Sequence, residues 1–197
     1  MTESAPSRFH EVPRKVGLGI AFAYALLRWF NPEHWDLLDD LDLAVHEAGH
    51  LIFQPFGEPI LTLGGSLFQL IVPVAFVLYF LRSGQRFAAL FTLFWVGVNL
   101  LNVATYVGDA RAQELPLLGG ENAVHDWWFL LTEWDLLDKD SALSFTLRLS
   151  AAAVFVAALG GGLAALRVSP AGPHPATPSL PRRPAGKAQD GRHSGAA

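Results

Sequence analysis

The chain of 197 residues has no cysteine and few charged side chains. Without cysteine there are no disulfide bonds, thiolate nucleophiles or cysteine-ligated zinc, so a metal site must use nitrogen and oxygen ligands. Charged residues make up 16% of the chain and hydrophobic residues 51%, whereas a typical soluble domain is about 25% charged. The net charge of -4 does not favour a nucleic-acid partner. This composition is typical of a protein in contact with a lipid bilayer.

Four long apolar runs are candidates for membrane-spanning helices, which need about 20 residues each. They cover residues 16–30, 60–81, 87–107 and 143–166. The first run is short, so it is either a span that continues toward Trp35 or the apolar part of a cleaved signal peptide that follows Arg14-Lys15. We expect an all-α membrane protein with about four transmembrane helices.

Both ends of the chain have compositions that do not support a packed core. Residues 1–15 are polar and contain two prolines, and residues 168–197 are rich in proline, alanine and glycine and are basic. Such segments bury too little apolar surface to offset the entropy of ordering. We therefore predict a disordered N-terminal arm over residues 1–15, an integral-membrane helical domain with the metal site over 16–167, and a disordered basic tail over 168–197.

Basic residues and tryptophans are divided unevenly between the connecting segments. The N-terminal arm, the turn at 82–86 and the C-terminal tail are basic, whereas segments 31–42 and 108–142 are predominantly acidic. Cytoplasmic loops are enriched in lysine and arginine, so we predict that both termini are cytoplasmic and that the acidic segments share the opposite face. Five tryptophans fall near that face, as in an interfacial aromatic belt: Trp29, Trp35, Trp127, Trp128 and Trp134.

The segment 43–56 contains an HExxH sequence, from His46 to His50, between apolar residues. It is too short for a comfortable span, which predicts a short or re-entrant helix. Histidines four residues apart lie on one helical face and can share a Zn²⁺ ion at about 2.0–2.1 Å each. Glu47 can take a proton from a zinc-bound water. The alternative is a pair of surface histidines, but ionisable groups in apolar surroundings are costly and favour a metal site.

A catalytic zinc site takes three protein ligands and keeps one position open, so a third ligand is required. We select Asp109, with an ordinary interfacial carboxylate paired with Arg111 or Arg148 as the alternative. Asp109 belongs to a polar stripe with spacings of three, four and three residues: Asn99, Asn102, Tyr106 and Asp109. In a bilayer this stripe must face other helices or a cavity.

His125-Asp126 forms a second constellation, just before Trp127-Trp128. His125 is a candidate additional ligand or hydrogen-bond donor, or else a solvated side chain. Asp126 either orients a histidine from behind or caps a helix that begins at Trp127, and the sequence leaves both interpretations open.

Over residues 41–110 the motif and its order of elements resemble the site-2 protease family of intramembrane zinc metallopeptidases. The resemblance implies that His46, His50 and Asp109 bind zinc and that Glu47 activates water. Asn102 and the sequence Gly108-Asp109-Ala110 depart from the family's motif around the aspartate. The stretch from Asp109 to Trp127 is also similar to an uncharacterised group of bacterial membrane proteins, which implies a bacterial inner membrane.

Two functions follow from these features. The first is a zinc-dependent hydrolase of the bilayer, most simply a peptidase that acts on a membrane protein or peptide. The second is a non-enzymatic metal-binding membrane protein, such as a sensor, chaperone or assembly factor. A small transporter that uses the polar stripe is a weaker third, because the sequence lacks paired broken helices.

Overall fold

The structure is a computed structural model that describes residues 11–118, 120 and 123–167. This part of the chain is helical and contains no strand, which confirms the all-α prediction. Its α-helices are α1 (Glu11–Phe30), α2 (Leu37–Phe53), α3 (Glu58–Arg82), α4 (Arg86–Gly108), α5 (Asp126–Glu133) and α6 (Asp140–Arg167). The predicted tail at 168–197 and residues 1–10 of the predicted arm lie outside the described residues.

Three of these helices, α3, α4 and α6, are long and apolar enough to cross a membrane. Their ends fall within three residues of the ends predicted from hydropathy. Helix α1 does not meet the same criterion, because Arg14, Lys15 and Arg28 interrupt its apolar sequence. The fourth span therefore stays a prediction.

Helices α1 and α2 both begin earlier than predicted. Helix α1 begins at Glu11, inside the segment expected to be a disordered arm. Helix α2 begins at Leu37 instead of Leu43, because Asp36 and Asp39 form a capping box. The Asp36 carboxylate accepts from the Leu38 N–H and the Asp39 carboxylate accepts from the Asp36 N–H, both at 2.8 Å. Half of the acidic segment 31–42 is therefore part of the motif helix.

The helices form an up-and-down bundle with two distinct ends. We call one the site end; it contains the C-terminal ends of α1 and α4 and the N-terminal ends of α3 and α6. Both ends of α2 contact this site end. Asp39 bonds Arg28 in the last turn of α1, and His50 bonds Leu61 in the first turn of α3. The insertion of α2 as a re-entrant helix stays a prediction.

The apolar core lies between α1, α4 and α6. Its buried members are Leu18, Ala21, Ala25, Phe94, Val98, Leu101, Ala151, Phe155 and Ala158. Small residues let the helices approach closely, and the rings of Phe94 and Phe155 stack at a centroid distance of 6.1 Å. The opposite face of α4 contacts α2, α3 and α5, and its contacts with α2 and α5 include hydrogen bonds between polar side chains and the partner helix.

Candidate metal centre

The motif helix α2 crosses α3 through glycine residues. A Cβ atom on Gly49 would lie 2.3 Å from the carbonyl oxygen of Gly64, and one on Gly65 would lie 2.5 Å from Nε2 of His46. Only residues without a side chain permit such an approach. Gly49, which the sequence places inside the HExxH motif, therefore has a packing role, and Gly65 makes room for the His46 ring.

Oxygen acceptors orient the two motif histidines from behind. Nδ1 of His46 lies 3.2 Å from the side-chain oxygen of Gln69, and Nδ1 of His50 lies 2.9 Å from the carbonyl oxygen of Leu61. Both oxygens only accept hydrogen bonds, so Nδ1 is the protonated nitrogen of each ring. Nε2 is then turned toward the cavity, which is the arrangement found behind metal-binding histidines.

Both Nε2 atoms point at the same carboxylate oxygen. Oδ2 of Asp126 lies 3.0 Å from Nε2 of His46 and 3.2 Å from Nε2 of His50. The three residues each offer one ligand atom, and these atoms lie within 4.8 Å of one another. Two imidazole nitrogens and one carboxylate oxygen suit several divalent ions. The group of His46, His50 and Asp126 could therefore bind a metal ion.

The first turn of α5 places Asp126 beside the histidines. His125 is the N-cap residue of α5, because its Nδ1 accepts the backbone N–H three residues later at 3.2 Å. The backbone N–H of Asp126 donates to the Tyr106 hydroxyl at 3.1 Å. The interpretation in which Asp126 caps this helix is therefore wrong. His125 caps it, and the Asp126 side chain is directed to His46 and His50.

Asp109, which the sequence offered as the third ligand, lies outside this group. Its carboxylate accepts the backbone N–H groups of Glu114 at 2.9 Å and Leu115 at 3.1 Å. Its Oδ2 also lies 3.3 Å from Nε2 of His125, at an angle too poor for a hydrogen bond. Burial lowers the pKa of His125, so the ring is neutral and its Nε2–H faces Asp109. Asp126 thus takes the place predicted for Asp109.

The alternative partners proposed for Asp109 are engaged elsewhere. Arg111 pairs with Asp140 at 2.6 Å, and Arg148 lies over the Trp29 ring and donates to its carbonyl oxygen. These contacts join the loop after α4 to α6 and α6 to α1. The Asp109 carboxylate is therefore bonded by its own loop and lies beside His125.

The polar stripe of α4 faces other helices, as predicted. Asn102 donates to Asp39 at 3.1 Å and accepts from Arg28. Arg28 forms a bidentate pair with Asp39, with both bonds at 2.7 Å and side chains only 2% and 3% exposed. The sequence interpretation missed this buried pair. A single arginine within an apolar run was the signal that could have revealed it.

A cavity of about 1160 Å³ opens at the metal centre. Glu47 lines it together with His46, His50 and Asp126. The Glu47 carboxylate is half-buried and forms no hydrogen bond within the described part of the chain. It is therefore the carboxylate of the motif that is available to a molecule in the cavity.

In the metal-free protein, protonation stabilises the contacts among His46, His50 and Asp126. The hydrogen bond with Asp126 raises the pKa of His50 to about 9, against the opposing effect of burial. Burial acts to raise the pKa of Asp126, but the bonds to His46 and His50 outweigh it and lower that pKa below its ordinary value. At neutral pH the metal-free protein therefore contains a protonated His50 beside an ionised Asp126. A metal ion must displace that proton in order to bind.

Comparison of the chain with protein-family models, curated proteins and solved structures found no match in any of the three.

Proposed function

We propose that the protein is an integral-membrane zinc-dependent hydrolase, with peptide bonds as the favoured substrate. The observation that carries this proposal is the convergence of the Nε2 atoms of His46 and His50 on Oδ2 of Asp126, at 3.0 and 3.2 Å. Three ligands with a carboxylate beside them match the requirements of a catalytic zinc site. The resemblance of the motif to site-2 proteases supports a peptidase over other hydrolases.

The chain's own residues supply the acid–base chemistry. Zinc bound here would act as a Lewis acid that polarises a carbonyl group and acidifies water. Glu47 would take a proton from a water molecule in the cavity and deliver it to the leaving amine. His46 and His50 keep their Nδ1 protons on the oxygens of Gln69 and Leu61 throughout, so they act as ligands and not as acids.

We place the metal centre on the extracytoplasmic side of a bacterial inner membrane. Arg14, Lys15, Arg82 and Arg86 all belong to the end of the bundle opposite the site end. This distribution supports cytoplasmic termini by the positive-inside rule. A membrane protein or peptide would then enter the cavity from the outer face.

A second candidate function is metal binding without catalysis, as in a sensor, chaperone or assembly factor. The observation that favours it is the direct contact among the ligand atoms at 3.0 and 3.2 Å. Since a proton on His50 bridges to Asp126 in the metal-free protein, a metal ion can bind here in exchange for that proton. Such exchange serves a metal sensor as well as an enzyme.

Metal content and hydrolysis of the purified protein distinguish the two functions. We expect about one zinc ion per chain in the wild type, since a three-ligand site holds a single ion. His46→Ala should lose the metal. Glu47→Gln should keep it and lose about 100-fold to 10,000-fold in hydrolysis of a pooled set of membrane peptides. Glu58→Gln, which changes another carboxylate of the same cavity, is the matched control and should change neither quantity.

Each outcome decides between the functions. Full hydrolysis by Glu47→Gln contradicts its role as the base. Stoichiometric zinc without any hydrolysis by the wild type favours the non-enzymatic function. Equal metal content in the wild type and in His46→Ala rejects the metal centre.

A further inference from the structure

A second buried polar cluster lies beside the metal centre. Asp42 precedes His46 by one turn of α2 and is 1% exposed, and Asn99 of α4 is fully buried. The indole N–H of Trp95 donates to Oδ1 of Asp42 at 2.8 Å. The side-chain amide of Asn99 donates to the carbonyl oxygen of Trp95 at 3.1 Å. These bonds connect α2 to α4 at a level where three helices meet.

Two oxygen atoms of this cluster lack a donor. Within the described part of the chain, neither Oδ2 of Asp42 nor Oδ1 of Asn99 has a hydrogen-bond partner. The two side chains nevertheless interact directly. Neither atom can be reached by a water molecule, because both are sealed from solvent. A buried acceptor without a donor is destabilising, and an unpaired buried carboxylate is more so.

The neighbouring charges do not supply the missing partner. Arg28 acts on Asp42 only through its charge, and both terminal nitrogens of its guanidinium group bond the Asp39 carboxylate. Asp39 itself lies one turn before Asp42 on α2 and opposes a second negative charge there. Within the described residues no cationic side chain bonds Oδ2 of Asp42. A proton on this oxygen would supply the missing donor.

We propose that Asp42 is a neutral carboxylic acid and that its Oδ2–H group donates to Oδ1 of Asn99. This proton turns two unpaired acceptors into one hydrogen bond and closes a ring. In the ring the Trp95 indole donates to Asp42, Asp42 donates to Asn99, and Asn99 donates to the Trp95 backbone. Every polar atom of the cluster then has a partner.

The surroundings of Asp42 favour its protonated form. Burial raises the pKa of Asp42 from 3.8 to about 6, against the side-chain contacts with Trp95 and Asn99, which act to lower it. Below that pH the protonated carboxylic acid is therefore the main form. The geometry and the surroundings therefore agree on the same protonation state.

A neutral Asp42 is a positioning residue for the metal centre, an inference that rests on the proposed function. It fixes α2 to α4 one turn before His46. It also lines the same cavity as His46, His50 and Asp126 without adding a negative charge. A divalent ion in the cavity is therefore drawn to Asp126 and not to Asp42.

Infrared difference spectroscopy in lipid vesicles at pH 5, below the raised pKa of Asp42, tests the protonation directly. We expect the carbonyl stretch of a protonated carboxylic acid in the wild type, its shift in heavy water, and its loss in Asp42→Asn. Asp40→Asn, a change to an exposed carboxylate of the same helix, is the matched control and should leave the band unchanged. The proposal is wrong if the wild type shows no protonated-acid band, or if Asp42→Asn leaves that band in place.

Stability and metal content provide a second test. Asparagine at 42 can donate to Asn99 and accept from Trp95, so Asp42→Asn should melt no lower than the wild type at pH 5 and keep its zinc at pH 7. Asp42→Leu leaves both partners unpaired and should melt lower. A destabilised Asp42→Asn would contradict the neutral acid. A wild type with the infrared band but without zinc would reject only the proposed metal centre.

Discussion

The Asp109 carboxylate lies 3.3 Å from the imidazole of His125 and links the loop after α4 to the start of α5. His125 in turn caps α5, and the next residue, Asp126, reaches the motif histidines. Asp109 is therefore placed to support the candidate metal centre through His125, while Asp126 is the proposed ligand.

The first prediction distinguishes a residue that supports the metal ligands, Asp109, from a residue that binds the metal, Asp126. Asp109→Asn weakens the hold on the loop and on His125 but leaves all three ligands in place. We expect zinc affinity, measured by competition with a chelator, to fall by about 10-fold to 100-fold, as for other residues that support metal ligands. Asp126→Asn should lose stoichiometric zinc, and Asp138→Asn, which changes an exposed carboxylate, should bind as the wild type does. Loss of zinc in Asp109→Asn with retention in Asp126→Asn would restore Asp109 as the ligand.

The second prediction concerns the helix crossing. In Gly65→Ala the new methyl group would meet Nε2 of His46 at 2.5 Å, so the imidazole ring must turn away from Asp126. We expect loss of zinc binding and a stability cost of about 1–3 kcal/mol, which is typical of overpacking. Metal content and thermal unfolding measure the two effects. Gly160→Ala, whose methyl group meets nothing within 4 Å, is the matched control, and equal zinc content in the two variants would contradict the crossing.

The sequence was sufficient for three of the long helices because hydropathy is a local signal. The apolar runs of α3, α4 and α6 are each long enough to span, so their ends could be placed closely without knowledge of the packing. Helix α2 was placed less well, because its first turns are acidic and are helical only through the Asp36 and Asp39 capping box. The acidic residues of these turns favoured a loop in the sequence analysis, whereas the capping box makes the turns helical.

The metal centre was predicted only in part, because its third member is distant in sequence. His46 and His50 share a face through helical periodicity, but Asp126 lies 80 residues from His46. The choice between Asp109 and Asp126 depends on how the loop after α4 turns back on Asp109. That turn is made by backbone N–H groups of Glu114 and Leu115, whose bonding no residue pattern reveals.

The third prediction concerns proton release on metal binding. Because the pKa of His50 is raised to about 9, its imidazole ring is positively charged below that pH in the metal-free protein. The ring must lose its second proton in order to bind a metal ion. Zinc affinity should therefore increase with pH up to about 9 and then level off. Calorimetric titration at pH 7.5 in buffers of different ionisation enthalpy should show release of about one proton per zinc ion. Binding without proton release would contradict a protonated His50 beside Asp126.

The fourth prediction concerns the buried pair of Arg28 and Asp39. Removal of one partner leaves a charge in an apolar interior, so Arg28→Leu should be destabilised by about 3–5 kcal/mol. The double variant Arg28→Leu/Asp39→Asn removes both charges, keeps an amide oxygen as acceptor for the Asp36 N–H, and should recover most of that loss, although Asn102 then loses Arg28. Unfolding of each variant in mixed micelles measures the difference. A double variant less stable than Arg28→Leu alone would show that the unpaired Asp39 charge is not the cause of the loss.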